Sequence, residues 1–298
     1  MTRKMSFFKA VYFLAVMLRR NLKWLVILLL KAGERAWPVL SFKMYLEASK
    51  AGFDPKEKSI HKQLILDGVR EKLSSEIMQR FIRPDDVILE LGANIGYYVL
   101  IESTILSDKG YIYAIEPAPE NVDLLNKNIA LNKVANIEVH NMAISNTKGT
   151  ARLYLGRACN LHSLIDRSQA GDSEYVEVET DTVDNFLKGK RPVTFLRMDI
   201  EGYETEIIEA MPETLHSPNI KRLFVEIHPH RVTTEKMQAL LIRLKDYGFE
   251  TAYCVSHDKF QRSVLGQSRV EQIPLAELAS DDRLVKDKLG FELFLERK

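Results

Sequence analysis

The chain of 298 residues is short of cysteine, has no surplus of charge and has no long apolar run. Its two cysteines, Cys159 and Cys254, are far apart, which excludes a disulfide framework and any all-cysteine metal site and fits a reducing compartment. Lys plus Arg is 42 and Asp plus Glu is 41, so no global basic field exists to hold nucleic acid. No internal repeat or low-complexity tract is visible, which excludes solenoid and array architectures. The uninterrupted apolar stretches near the start, 10–18 and 24–30, are well short of the roughly 20 residues a spanning helix needs. No small-x-small site follows them closely, so a cleaved signal peptide is not expected. What is present is ordinary for a folded protein: 46% hydrophobic and 28% charged residues, enough for one large domain or two small ones.

Acid is missing locally. Residues 1–31 carry seven basic side chains and the first acid is Glu34. At about 100° per residue, Phe7, Val11, Leu14, Leu18, Leu22, Leu25 and Leu29 share one helix face. Lys9, Arg19, Arg20, Lys23 and Lys31 fall opposite, with Val16 and Ile27 intruding among them. Residues 1–35 therefore read as a basic amphipathic helix suited to an anionic membrane interface, each basic residue adding on the order of 1 kcal/mol. The same face would also suit packing on the protein itself or on a sister subunit in a homo-oligomer. The expected location is cytoplasmic, peripheral on the inner face of a membrane.

Residues 36–84 read as a helical connecting region. One helix is expected over 59–81, from Ile60, Leu64, Ile65, Val69, Leu73, Ile77 and Phe81, before Pro84 and Asp85 stop it. From 85 to 298 the rhythm changes to short strands alternating with helices. Strands are expected at 86–91, 111–115, 137–141, 193–198, 223–228, 249–255 and 291–295, forming a mostly parallel sheet covered on both faces. Between 149 and 187 the alternation at 150–155 and 175–180 predicts an inserted β-hairpin. Its polar loop holds Asn160, His162 and Ser163, which are candidates to line an acceptor pocket.

The first strand runs into the string ELGANIG, 90–96. Gly92 tolerates a turn or close approach that a side chain would forbid, and Gly96 lets a helix start pack closely. The free N–H groups of that helix start suit a carboxylate or phosphate. The spacing is G-x-x-x-G rather than the G-x-G-x-x-G of dinucleotide enzymes. Glu116 ends the next strand, twenty residues after Gly96, where a carboxylate can accept from both hydroxyls of a ribose. The third strand ends in NMAIS, 141–145, where an adenine edge could be met. The fourth ends in MDIEGYE, with Asp199, Glu201 and Glu204, and the fifth in VEIHPH, with Glu226, His228 and His230.

The strings DVILELGANIGYYVL, YIYAIEPAPENVDLLNKNIALN, NMAISNTKGTARLYL, FLRMDIEGYE and LFVEIHP, in this order, resemble the FkbM-like family of S-adenosylmethionine-dependent methyltransferases over roughly 85–229. The resemblance implies an α/β fold, the class I methyltransferase (Rossmann-like) seven-stranded sheet with its last strand antiparallel. It implies S-adenosyl-L-methionine as cofactor and methyl transfer to a hydroxyl, often on a sugar or polyketide-like alcohol. Carried over by position, Glu90, Gly92, Ala93, Asn94, Gly96 and Tyr97 would form the cofactor turn. Glu116 would hold the ribose, Asn141, Met142 and Ala143 would border the adenine, and Asp199 would face the methionine part and the acceptor. The family pattern does not cover the basic N-terminal helix.

Methyl transfer from a sulfonium requires a positioned acceptor, and a hydroxyl must lose its proton. His228 is the expected base, with Asp199 and Glu226 orienting the acceptor or the imidazole; His230 is a further candidate for substrate contact. The same Asp199, Glu226 and His228 could instead hold a divalent cation, although three dispersed ligands are not a metal signature. The expected acceptor is a hydroxyl of a small molecule, sugar, glycan or lipid-linked glycan. The rival readings are a nicotinamide-dependent oxidoreductase on a similar sheet, which the glycine spacing disfavours, and a cofactor-binding scaffold without turnover.

Overall fold

Two runs in the chain, Val87–Leu91 and Arg222–Ile227, are buried along their whole length. Strands with no polar outlet belong to a sheet covered on both faces. The structure is a computed structural model that describes residues 35–47, 59–156, 161–166, 174–256 and 269–298, together with Ala15, Leu18, Arg19, Asn21, Leu22 and Leu25. In chain order the strands are β1 (Arg35–Val39), β2 (Phe42–Leu46), β3 (Val87–Leu91), β4 (Tyr111–Ile115), β5 (Ile137–His140), β6 (Ala143–Ile144) and β7 (Gly149–Tyr154). They continue with β8 (Tyr175–Asp181), β9 (Phe195–Met198), β10 (Arg222–Ile227), β11 (Phe249–Ser256), β12 (Arg269–Glu271) and β13 (Phe291–Arg297).

The main sheet has the order β12-β11-β13-β10-β9-β3-β4-β5. Strands β5, β4, β3, β9 and β10 pair in parallel, and β13 inserts antiparallel between β10 and β11. All seven expected strands are present. An eighth, β12, pairs antiparallel on the edge beside β11, and its three residues are too few to show a period in the sequence. The expected hairpin is β7 with β8, extended by β6 into a small sheet of its own.

The region 36–84 differs from the helical reading in two places. Residues 35–46 form an antiparallel hairpin, β1 with β2, because the stretch FKMYL alternates buried and outward positions. The single helix expected over 59–81 is two, Ile60–Asp67 and Lys72–Phe81. Gly68 at φ +69 closes the first with its N–H on the Leu64 carbonyl, and Glu71 at φ +45 opens the second. The hairpin and both helices share a core with Tyr97, Tyr98, Ile112, Phe195, Phe224 and Phe294, so they cover one face of the main sheet. The other face is covered by the helices Glu204–Glu209 and Thr234–Asp246.

Of the first 34 residues, the six described lie in a helix, and Leu18, Leu22 and Leu25 are 62%, 65% and 48% exposed. These three belong to the apolar face expected from the sequence. Among the described residues, no helix is long and apolar enough to cross a membrane.

Candidate active site

Strand register brings the chemistry into one row. Leu91 is level with Ile115 on one side and Met198 on the other, and Met198 is level with Val225. One residue further along each strand therefore lie Glu116, Gly92, Asp199 and Glu226, at the carboxyl ends of β4, β3, β9 and β10. Chain order reverses between β3 and β9, which is where open α/β sheets bind ligands. A cavity that is partly open to solvent sits above this point.

The turn after β3 depends on glycine at two positions. Gly92 has φ +88, and a Cβ there would come within 2.2 Å of the Asp199 carbonyl oxygen, so β3 and β9 can meet only through glycine. Gly96, at φ +91, opens the helix Tyr97–Ser103 and packs on Leu125; it does not line the cavity. Glu90, Gly92, Ala93, Asn94 and Tyr97 do line it.

Glu116 is buried, with one wall of the cavity formed by its side chain. Its Oε2 accepts from the Asn94 N–H at 2.8 Å, and its Oε1 accepts from the Ala118 N–H at 3.0 Å and from Asn121 at 3.1 Å. It thus both ties the glycine turn to the next helix and faces the cavity. Burial raises its pKa, and these three donors oppose that. Pro117, Ala143, Ile144 and Leu153 supply an apolar wall beside it. Asn141 and Met142 are not on this wall. The Asn141 amide donates to the carbonyls of Glu116 and Pro117, which fixes the chain after β4, and Met142 packs into the core.

At the other end lies Asp199. Burial, then the nearby Glu226, raises its pKa to about 8 against the pull of Arg197 and His228. Asp199, Glu226 and His228 offer ligand atoms within 4.8 Å of one another, the cluster among the described residues that could hold a metal ion. His228 is buried behind this row and does not line the cavity. Its Nε2 is 3.3 Å from Glu226 and its Nδ1 is 3.4 Å from Glu204. Burial lowers the imidazole pKa, but Glu226 and Glu204 outweigh it and hold the ring well above its ordinary value. Glu204 also accepts from the N–H groups of Ile200 and Gly202, which shapes the turn after β9.

His162 and Ser163 line the cavity from the hairpin loop. The His162 Nδ1 accepts from the Gly156 N–H, and burial lowers its pKa. Asn160 lies outside the described residues. His230 is exposed, bonded to Arg231, and does not reach the cavity, because the chain turns outward after His228.

Two arginines in the cavity wall were not singled out from the sequence. Arg197, in the middle of β9, is level with Glu90 on β3 and pairs with it at 2.5 Å, both side chains 1% exposed. Its guanidinium lies over the Tyr98 ring at 3.7 Å and the Phe224 ring at 4.7 Å, and reaches Asp199 at 3.4 Å. The buried Glu102 lies behind the same arginine, and burial and Glu90 together hold its pKa well above the ordinary range. Arg70 comes from the turn between the two N-terminal helices.

The profile of the FkbM methyltransferase domain matches residues 90–251, more than half of the chain. Methyltransferase 1 of the fungus Beauveria bassiana (strain ARSEF 2860) is 25% identical over 172 residues, which span 48% of this chain and 66% of that one. Among solved structures, methyltransferase FkbM from Methylobacillus flagellatus KT aligns at 14% identity with a TM-score of 0.42, covering 71% of this chain and 44% of that one. Precorrin-6y C5,15-methyltransferase from Geobacter metallireducens GS-15 aligns at 12% identity with a TM-score of 0.40, covering 77% and 90%. The chain thus spans just under two thirds of the fungal relative and less than half of the Methylobacillus protein. The domain match runs from the end of β3 to the start of β11, the glycine turn, Glu116, Asp199 and Glu226 included, and by it the chain belongs to the FkbM methyltransferase family.

Proposed function

We propose that the protein is an S-adenosylmethionine-dependent O-methyltransferase acting on a hydroxyl of a sugar, glycan or lipid-linked glycan. The observation that carries this reading is the row Glu116, Gly92, Asp199 under one cavity at the point where strand order reverses. The residues present fit the cofactor: a buried carboxylate at the ribose end, an apolar wall for a purine and polar groups of both signs at the far end. When bound, the cofactor supplies an electrophilic methyl group. Glu116 would accept from the ribose hydroxyls, while Pro117, Ala143 and Ile144 exclude water from the base. Asp199 would take the acceptor proton on a carboxylate oxygen. Its pKa near 8 is matched to that task, whereas His228 sits behind the cavity with its ring already charged. His228 then acts as a positioning residue that neutralises Glu226, which is the role a metal ion would otherwise fill.

Calorimetry with S-adenosylhomocysteine tests the cofactor. The wild-type protein is expected to bind it and to ignore NADH. Glu116→Ala should weaken binding by about 100-fold, the loss of two hydrogen bonds to a charged group. Tight NADH binding would replace this reading with the oxidoreductase one.

The membrane half of the proposal rests on the exposed Leu18, Leu22 and Leu25 and on the seven basic residues among the first 31. Co-sedimentation with vesicles containing phosphatidylglycerol should hold the full chain at low salt and release it as salt rises. Removal of residues 1–34 should abolish retention; equal retention on neutral vesicles would contradict the electrostatic part.

A further inference from the structure

S-Adenosylmethionine carries positive charge at sulfur and at its amine, and a single negative charge, at its carboxylate. The cavity wall is rich in the wrong sign for that carboxylate: Glu90, Glu116, Asp199 and Glu201 all line it. Among the described residues of the wall, the cationic side chains are Arg197 and Arg70, His162 being held toward its neutral form. Arg197 is enclosed between two rings, paired with Glu90, and 1% exposed.

Arg70 is different. Its Nε donates to the Glu71 carboxylate at 2.7 Å, and its side chain is 15% exposed. Neither Nη has a hydrogen bond or ion pair to a described residue, which leaves the Nη edge of the guanidinium for the cavity that Arg70 lines, with the charges of Glu71, Asp199 and Glu226 acting on it electrostatically. Such an edge can meet a carboxylate with two parallel N–H donors.

The turn that carries Arg70 is tied to the cofactor helix. Tyr97 Oη accepts from the Arg70 N–H at 3.1 Å and donates to the Arg70 carbonyl at 3.0 Å. The Ser75 hydroxyl donates to the same carbonyl at 2.7 Å. The neighbouring Tyr98 donates to Glu71 at 2.9 Å, and Glu71 in turn holds the Arg70 Nε. Two consecutive tyrosines just after the glycine turn thus fix both the backbone and the side chain of Arg70 in the cavity wall, where the charge of Asp199 acts on it.

We infer that Arg70 is a cofactor-binding residue that receives the carboxylate of the methionine moiety, so that the segment preceding the matched domain completes the cofactor site. The inference rests on the cofactor reading above. Calorimetry on the full chain tests it with three nucleosides: S-adenosylhomocysteine, its decarboxylated analogue and 5′-methylthioadenosine. The wild type should prefer S-adenosylhomocysteine over the decarboxylated analogue. Arg70→Gln should weaken S-adenosylhomocysteine binding about 10- to 100-fold while changing the other two less than about threefold. Arg70→Lys should recover part of the loss. Equal weakening of all three ligands would assign Arg70 a merely structural role. Unchanged S-adenosylhomocysteine affinity with a raised KM for the acceptor would move Arg70 to the acceptor side. Absence of nucleoside binding by the wild type would overturn the cofactor reading itself, an outcome distinct from the other two.

Discussion

Asp199→Asn is expected to lower turnover about 100- to 10,000-fold while S-adenosylhomocysteine still binds, measured as methyl incorporation from isotopically labelled cofactor. Asparagine keeps the shape and cannot take the proton. With Asp199 as the proposed base the active form is the carboxylate, so kcat/KM for the acceptor should rise with pH through about 8. A bound sulfonium favours the charged carboxylate, so the rise should lie at lower pH with saturating than with limiting cofactor. The same shift has an opposite consequence for the fold. An aspartate whose pKa is raised from about 4 when unfolded to about 8 when folded contributes stability below pH 4 that is lost as pH rises to 8. Asp199→Asn should therefore melt a few degrees higher than wild type at pH 9 and show no such gain at pH 4. A variant that loses cofactor affinity and keeps kcat would assign Asp199 to the methionine end instead.

The second large effect is on stability. Arg197→Met leaves Glu90 buried and unpaired and removes the guanidinium that also faces Asp199. Breaking a buried pair from one side costs about 3–5 kcal/mol, on the order of 10 °C in melting temperature for a chain of this size. The double variant Arg197→Met with Glu90→Leu replaces both charges by apolar groups and should recover most of that loss. Equilibrium urea unfolding of the two variants decides it. If the double variant is no more stable than the single one, Arg197 stabilises the fold through Asp199 and its two flanking rings, not through Glu90.

The site was legible where it depends on strand ends. Glu116, Asp199 and Glu226 each close an apolar run, and parallel strands in register must bring such ends together. Arg197 and Glu90 were harder, although a signal existed: each is a lone charge inside a buried strand, VILEL and FLRM, and two such charges of opposite sign on adjacent strands need each other. In the sequence Glu90 reads as part of the glycine turn that follows it. His228 looked like a base because Glu-x-His at a strand end suits that role. Only the packed structure shows that the ring lies behind the row, between Glu226 and Glu204. Arg70 had no local mark at all, since it meets the cavity through tertiary contacts with Tyr97 and Tyr98. The hairpin β1–β2 was hidden by the helical periodicity that follows it.

The position of β13 has a consequence for assembly. It is synthesised after both of its neighbours, yet it separates them, pairing with β10 on one edge and β11 on the other. Five parallel strands, which hold Glu116, Gly92, Asp199 and Glu226 at their tips, can align before β13 leaves the ribosome. Strand β11 and its companion β12 must then wait for a wedge that arrives late. Until it does, β10 presents an open edge, and a nascent chain stalled before residue 291 would expose it to any extended peptide nearby.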